Sequence, residues 1–328
     1  STWYYCHDAL MVSRMAARIG KVDVAKKYRE VANKVADAFN KRFLKVDRYS
    51  ASKFSDEELA EKIKSWLNVL PEDQRPAVMK RYATLYSSSS QTANLLPLWL
   101  DITPEENVKD VLETLVQDLE VTRAWHINTG VVGLKFMFDV LIKYGYEDLA
   151  YRLITQTSFP SFGYQIEKEG ATTLWERWEF LNNDKCFNSH SHPFAGSVDV
   201  YFYKILAGLG LDEEVSGFKK IILKPVMSGN LPYASASVNT IRGKVVSAWE
   251  RNAEELRYKV EVPGNTTAEL YIPKNAWDKI EITEGTKRCW NGENAEDVEG
   301  MTYLREEEKY VVYQIEAGSY EFKVTPVK

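Results

Sequence analysis

The 328-residue chain sets 42 Lys and Arg against 47 Asp and Glu, a net charge of -5, with the basic residues scattered along it. That balance excludes nucleic acid or an anionic membrane as the expected partner, because either needs basic residues gathered into a patch or stripe. Hydrophobic residues at 45% and charged residues at 27% are globular values, and the length is about twice that of a typical domain, so two globular domains are expected.

No apolar run reaches a membrane-spanning length, and residues 1–20 lack the basic, apolar and small-residue order of a secretory signal, so the compartment stays open. Cys6, Cys186 and Cys289 are widely spaced and form no CxxC pair, and read as free thiols. The four histidines have no acidic or cysteine neighbour at a convincing metal-ligand offset, and neither a metal nor a cofactor is expected. Nine Trp and 19 Tyr, with six of the Trp before residue 180, supply flat rigid side chains of the kind sugar rings stack against, though a large core uses them too.

In chain order, a first helix ends at Ile19 and Gly20, a good left-handed cap. Val24, Tyr28, Val31, Val35, Ala38 and Phe43 then make one face of an amphipathic helix. Residues 51–90 are less regular: Ser55 with Glu58 suggests a capping box for a helix through Trp66 and Val69, in an insertion or solvated surface loop. At Thr103 a capping box with Glu106 and Pro104 in the first turn predicts a helix carrying Val108, Val111, Leu112, Leu115, Val116 and Leu119. Helices over 130–144 and 147–154 follow, separated by Gly145, and an aromatic helix is expected over 198–209. Connections this short make antiparallel helical hairpins.

Beyond about residue 211 the period changes from 3.6 to 2. Phe218 to Leu223, then 244–249, 256–262, 268–272, 310–315 and 319–324 are short β-branched or aromatic runs split by Pro, Gly and Asn, which predicts a β-sandwich. The expected fold is therefore mainly α with a β domain, with helical hairpins over 1–210, an irregular insertion near 51–90, and an antiparallel sandwich over 211–328.

Chemistry concentrates in GATTLWERWEF, where Glu176 lies between Trp175 and Trp178. A carboxylate among indoles suits acid–base work. On a helix Trp175, Glu176 and Glu179 would share a face, with Arg177 turned away; the bland alternative is two core tryptophans and a surface ion pair. Two further loops stand nearby in sequence: the polar-aromatic Trp125, His126, Asn128 and Thr129, and the polar cluster of Asn188 to His192 with Gly196. A Pro- and Gly-rich loop over 158–170 carries Phe162 and Tyr164. Loops preceding successive inner helices converge on one end of a hairpin barrel, so these are expected to line one cavity.

The runs HINTGVVG (126–133), GYEDLAYRLITQTSFPSFGYQIEKEGATTLWERWE (145–179) and NSHSHPFAGSV (188–198) resemble the catalytic domain of bacterial α-L-rhamnosidases, glycoside hydrolase family 78. The following KILAGL and the β-rich tail are similar to that family's C-terminal sandwich. The resemblance implies an (α/α)6 barrel that hydrolyses terminal α-L-rhamnosides with inversion, on a rhamnose-containing glycoside or polysaccharide. It implies Glu176 as the general base that deprotonates water, and His192 as a residue that contacts the sugar or helps hold the water. Trp175, Trp178 and Trp125 would be wall or core residues, with His126, Tyr164 and Arg177 as substrate contacts. His190 is a sugar contact or a loop histidine bonded to backbone.

The family's general acid lies in an acidic, Arg-containing motif upstream of the first helices, whereas this chain opens at STWYYCHDAL. Together with fewer helices than six hairpins need, this suggests the C-terminal part of a longer rhamnosidase, with an exposed apolar face prone to self-association. Asp8 or Glu179 is the alternative acid in a divergent short form. Alternatives for function are a sugar-binding protein without hydrolysis, or another (α/α)6 hydrolase or phosphorylase. The resemblance implies the bacterial cytoplasm or periplasm.

Overall fold

The computed structural model describes residues 2–46, 84–87, 89–179, 189–212 and 214–327. The expected capping box at Ser55 and Glu58, Trp66, Val69, Cys186 and Asn188 lie outside the described residues. The chain divides between Ala195 and Gly196 into two compact units.

In the first unit, α1 (Thr2–Arg18) buries Trp3, Cys6, Ala9, Ser13 and Ala16, a single stripe at helical spacing. Gly20, at φ +74°, ends it. Its N–H donates to Ala17 O at 3.1 Å and that of Lys21 to Ala16 O at 2.8 Å, the paired closure that a left-handed glycine allows. The chain turns back as α2 (Val22–Phe43), and the two helices pack around Cys6, Ala9 and Ala32. On the other side of α1, Tyr5, Met11 and Met15 are exposed, as is Ile19 just past its end.

A two-residue ladder, β1 (Leu44–Lys45) with β2 (Leu85–Tyr86), leads to α3 (Gln91–Trp99), capped by the Ser90 hydroxyl accepting from Ala93 N–H at 3.2 Å. The helix at Thr103 forms as α4 (Glu105–Gln117), but without the expected capping box: Pro104 occupies the cap position and no side chain caps it. The Thr103 hydroxyl instead lies 3.4 Å from the Tyr86 hydroxyl, so it is committed to packing across the unit. α4 loosens into a π-helical turn over Asp118–Thr122. There follow α5 (Leu134–Lys143), α6 (Glu147–Ile154) and α7 (Phe162–Glu167), the last within the stretch expected to be loop.

The helix expected over 198–209 is replaced by a short α8 (Pro193–Gly196), a π-helical segment Tyr201–Leu206 and strand β3 (Leu209–Leu211). The segment 170–179 is irregular rather than helical, so the shared helical face of Trp175, Glu176 and Glu179 does not exist.

The second unit is the sandwich. One sheet runs β10-β9-β13-β7-β6-β5 and the other β11-β12-β8-β4-β3, formed by β4 (Lys220–Leu223), β5 (Tyr233–Thr240), β6 (Gly243–Arg251), β7 (Leu256–Val262), β8 (Thr267–Pro273), β9 (Ile280–Glu284), β10 (Lys287–Trp290), β11 (Met301–Glu306), β12 (Tyr310–Ile315) and β13 (Gly318–Pro326). Pairing is antiparallel except for β4 on β8, which is parallel. Along β7, Leu256, Tyr258, Val260 and Val262 point into the core, with Arg257 and Lys259 pointing out. Each fully buried side chain of this size contributes roughly 1.5–3 kcal/mol. Among the described residues no helix is long and apolar enough to cross a membrane.

Candidate active site

Two irregular segments of the first unit, 173–176 and 189–192, are held side by side by backbone bonds. Glu176 N–H donates to Ser189 O and His192 N–H to Leu174 O, both at 2.9 Å. The Thr173 hydroxyl donates to His190 O. Ser189 N–H then donates to Glu176 Oε2 at 3.0 Å, a charge-assisted bond that fixes the carboxylate. Oε1 has no bonding partner among the described residues, so one carboxylate oxygen is anchored and the other is available to take a proton.

The opposite flank is held by α7. Ser161 caps that helix, accepting from Tyr164 N–H at 3.0 Å, and the helix then presents Phe162 and Gln165 to the segment. Gln165, 1% exposed, donates through Nε2 to Arg177 O at 2.6 Å. The Phe162 ring meets Trp178 edge-on at 5.1 Å.

Between these supports lies a cleft of about 270 Å³, lined by Trp175, Glu176, Arg177, Trp178 and Glu179 and closed by Thr129, Gly130, Leu134, Phe194 and Ala195. Of the loops expected to share one cavity, the stretch Trp175 to Glu179 and, through Thr129, the 125–129 loop line this cleft, whereas 158–170 supplies no wall and the chain after His192 enters it only through Phe194 and Ala195. Trp175 is 6% exposed and is wall and core at once, while Glu176 and Trp178 are half-buried and Arg177 is exposed.

The remaining expected site residues do not line the cleft. Trp125, at φ +61°, is covered by the Arg152 guanidinium at 3.4 Å. His126 bonds Arg123 O at 2.7 Å and the Ser158 hydroxyl at 2.9 Å, which engages both ring nitrogens within the chain. Tyr164 donates to Glu169 at 2.7 Å, and that bond chiefly pushes the phenol up from its ordinary pKa. His190 packs at 5.0 Å against Trp175 in a tilted ring contact. His192 accepts from Phe194 N–H through Nδ1 at 3.4 Å, which assigns its proton to Nε2 when neutral.

Sequence reasoning missed the clamp that delivers Thr129. Gln91, 1% exposed, donates to Asp118 Oδ2 at 2.9 Å and to His126 O at 3.3 Å, and its Oε1 accepts from Asn128 N–H at 2.7 Å. Burial pushes the Asp118 carboxyl up, against the pull of Gln91 and Arg123. The Thr129 hydroxyl is 2.6 Å from that of Thr92, and a Cβ on Gly133 would stand 2.1 Å from it, so only glycine fits there. A side chain bridging elements far apart in sequence leaves no periodic trace; the only signal was a Gln where a helix begins. Among the described residues no group of His, Cys, Asp and Glu is arranged to hold a metal ion.

A helical-hairpin unit bearing a carboxylate in an aromatic cleft, followed by a two-sheet unit, is the organisation of a hairpin glycosidase. The model of the bacterial α-L-rhamnosidase 6 hairpin glycosidase domain matches residues 1–206, and that of the bacterial α-L-rhamnosidase C-terminal domain matches 210–287. The chain belongs to the bacterial α-L-rhamnosidase family. It is 28% identical over 329 residues to an α-L-rhamnosidase of Streptomyces avermitilis, covering 99% of this chain and 26% of that protein. It is 27% identical to one of Formosa agariphila, covering 98% and 30%.

Among solved structures, the α-L-rhamnosidase of Dictyoglumus thermophilum superposes with a TM-score of 0.80 at 37% identity, over 99% of this chain and 31% of that one. The Streptomyces avermitilis enzyme complexed with L-rhamnose gives 0.73 at 27% identity, over 100% and 26%. The chain thus spans about a quarter to a third of the length of these relatives.

Proposed function

We propose that this chain carries the water-activating part of an inverting α-L-rhamnoside hydrolase, with Glu176 as general base. The observation that supports it is the state of Glu176: Oε2 is pinned by Ser189 N–H while the carboxylate faces a cleft walled by Trp175 and Trp178. In the reaction the free oxygen removes a proton from water as the water oxygen bonds the anomeric carbon. The glycosidic oxygen leaves with a proton from an acid on the opposite side. No acid is assigned within the cleft, whose other carboxylate, Glu179, is exposed.

Trp178 and Trp175 provide apolar faces for the sugar ring, and Arg177 a donor at the rim. His192, whose backbone N–H bonds Leu174 O but which is not among the cleft's walls, is assigned the role of contacting the sugar or helping to hold the water. Trp125, His126, Tyr164 and His190 contribute by holding the surrounding loops. Residues 1–210 form the catalytic region and 211–328 the sandwich that follows it. The substrate is a rhamnose-terminated glycoside or polysaccharide.

The test is proton NMR of rhamnoside hydrolysis, using this chain and a form extended upstream. The reading expects β-L-rhamnose as the first product. Release of the α-anomer first, or turnover only of a different glycoside, overturns it.

A further inference from the structure

The outer face of the six-stranded sheet carries a groove of about 580 Å³ that the cleft chemistry does not use. Its floor is low because Ser235 on β5 stands opposite Ala248 on β6, two small side chains side by side. One wall is a row of paired positions, Tyr233 opposite Glu250 and Glu250 opposite Arg257. The other is Lys259 opposite Glu321. Tyr233 is 66% exposed, so an aromatic ring stands free beside the small floor and next to a carboxylate.

The charges around the groove are matched. Arg257 and Lys323 both pair with Glu255, at 2.7 and 2.8 Å, and Lys259 pairs with Glu321 at 3.2 Å. With Glu250, the charges named around the groove are three cations (Arg257, Lys259, Lys323) and three carboxylates (Glu250, Glu255, Glu321), which complement neither a polyanion nor a polycation. A neutral polyol does fit this pattern. A ring face stacks on an exposed tyrosine, vicinal hydroxyls donate to a carboxylate, and Arg and Lys donate to ring and hydroxyl oxygens.

We infer that this groove is a second, non-catalytic saccharide-binding site for a neutral oligosaccharide, with Tyr233 as the stacking platform and Glu250 as the hydroxyl acceptor. The site lies wholly on the sandwich and stands whether or not Glu176 is a catalytic base.

The experiment is affinity electrophoresis of the whole chain in gels containing a neutral galactan, or the same galactan capped with α-L-rhamnose. Wild type is compared with Tyr233→Ala, Glu250→Gln, and a cleft control carrying Glu176→Gln and Trp178→Ala. Retardation is expected for wild type and for the cleft control, and about tenfold weaker binding for Tyr233→Ala with an unchanged melting temperature, since that side chain is exposed. Unchanged retardation of Tyr233→Ala overturns the site, as does loss of retardation in the cleft control. Absence of retardation of wild type in both gels also overturns it. A Tyr233→Ala change in sedimentation mass would make the face a contact between copies and would overturn it equally.

Discussion

The side-chain amide of Gln165 reaches twelve residues along the chain to hold the carbonyl of Arg177 at 2.6 Å, while Ser189 N–H holds the Glu176 carboxylate from the other side at 3.0 Å. The WERW segment is irregular, so these bonds and the Phe162–Trp178 contact do the positioning that a helix would otherwise provide.

Replacing Gln165 with Leu removes the donor and the part-buried bond to the Arg177 carbonyl, a loss of about 0.5–1.5 kcal/mol. We expect kcat on a chromogenic α-L-rhamnoside to fall about tenfold or more with KM little changed, because misplacing a base by a fraction of an ångström harms the transition state more than ground-state binding. Equal scaling of kcat with the fraction of folded protein, measured by melting, would reduce Gln165 to a structural role.

Gly133→Ala puts a methyl 2.1 Å from the Thr129 hydroxyl and 2.8 Å from that of Thr92. Overpacking of this kind costs about 1–3 kcal/mol. Thermal unfolding should shift down by several degrees, and Gly133→Ala with Thr129→Ser, which leaves the hydroxyl in place, should not recover it. Wild-type melting in Gly133→Ala would show that the loop over 126–130 adjusts freely.

Asp118 gives a pH test. Burial raises its folded-state pKa above the unfolded value, so the stability it contributes is full below the unfolded pKa and is lost as pH rises through the folded one. Asp118→Asn keeps an oxygen to accept from Gln91 and carries no charge. The variant should therefore gain stability relative to wild type as pH rises from the acid range toward neutrality, read as a growing difference in denaturation midpoints. A difference constant with pH would mean that Asp118 is as well solvated as in the unfolded chain.

The parts of the fold legible in the sequence are those whose burial repeats. The stripe from Val108 to Leu119 gave α4, Glu147 to Ile154 gave α6 with its bounds, and Leu256 to Val262 gave β7 with its bounds. α3 was hidden by Pro97 near its end and by a buried face that includes Gln91 and Asn94. β5 reads YASASVNT and buries only Ala236, so its small residues carry no alternation of hydrophobicity. The family was legible in three runs, 126–133, 145–179 and 188–198, each of which supplies walls of the candidate site. The support of that site, through Gln165 and Gln91, was not, because each is one long side chain finding a backbone group across a turn.

In the site itself, Glu176, Trp175, Arg177 and Trp178 come together in the cleft, whereas Trp125 and His126 fold back onto Arg152, Arg123 and Ser158. The difference is local. Positive φ at Ala124 and Trp125 turns that loop, a backbone choice with no glycine to announce it.

The most direct test of the account is Glu176→Gln, made in this chain and in the upstream-extended form and assayed on a chromogenic α-L-rhamnoside alongside L-rhamnose binding. Gln keeps an oxygen for Ser189 N–H and cannot take the proton of water. We expect a fall in kcat of about 10²–10⁴-fold with L-rhamnose affinity within a few-fold of wild type. Hydrolysis by Glu176→Gln at the wild-type rate would contradict it.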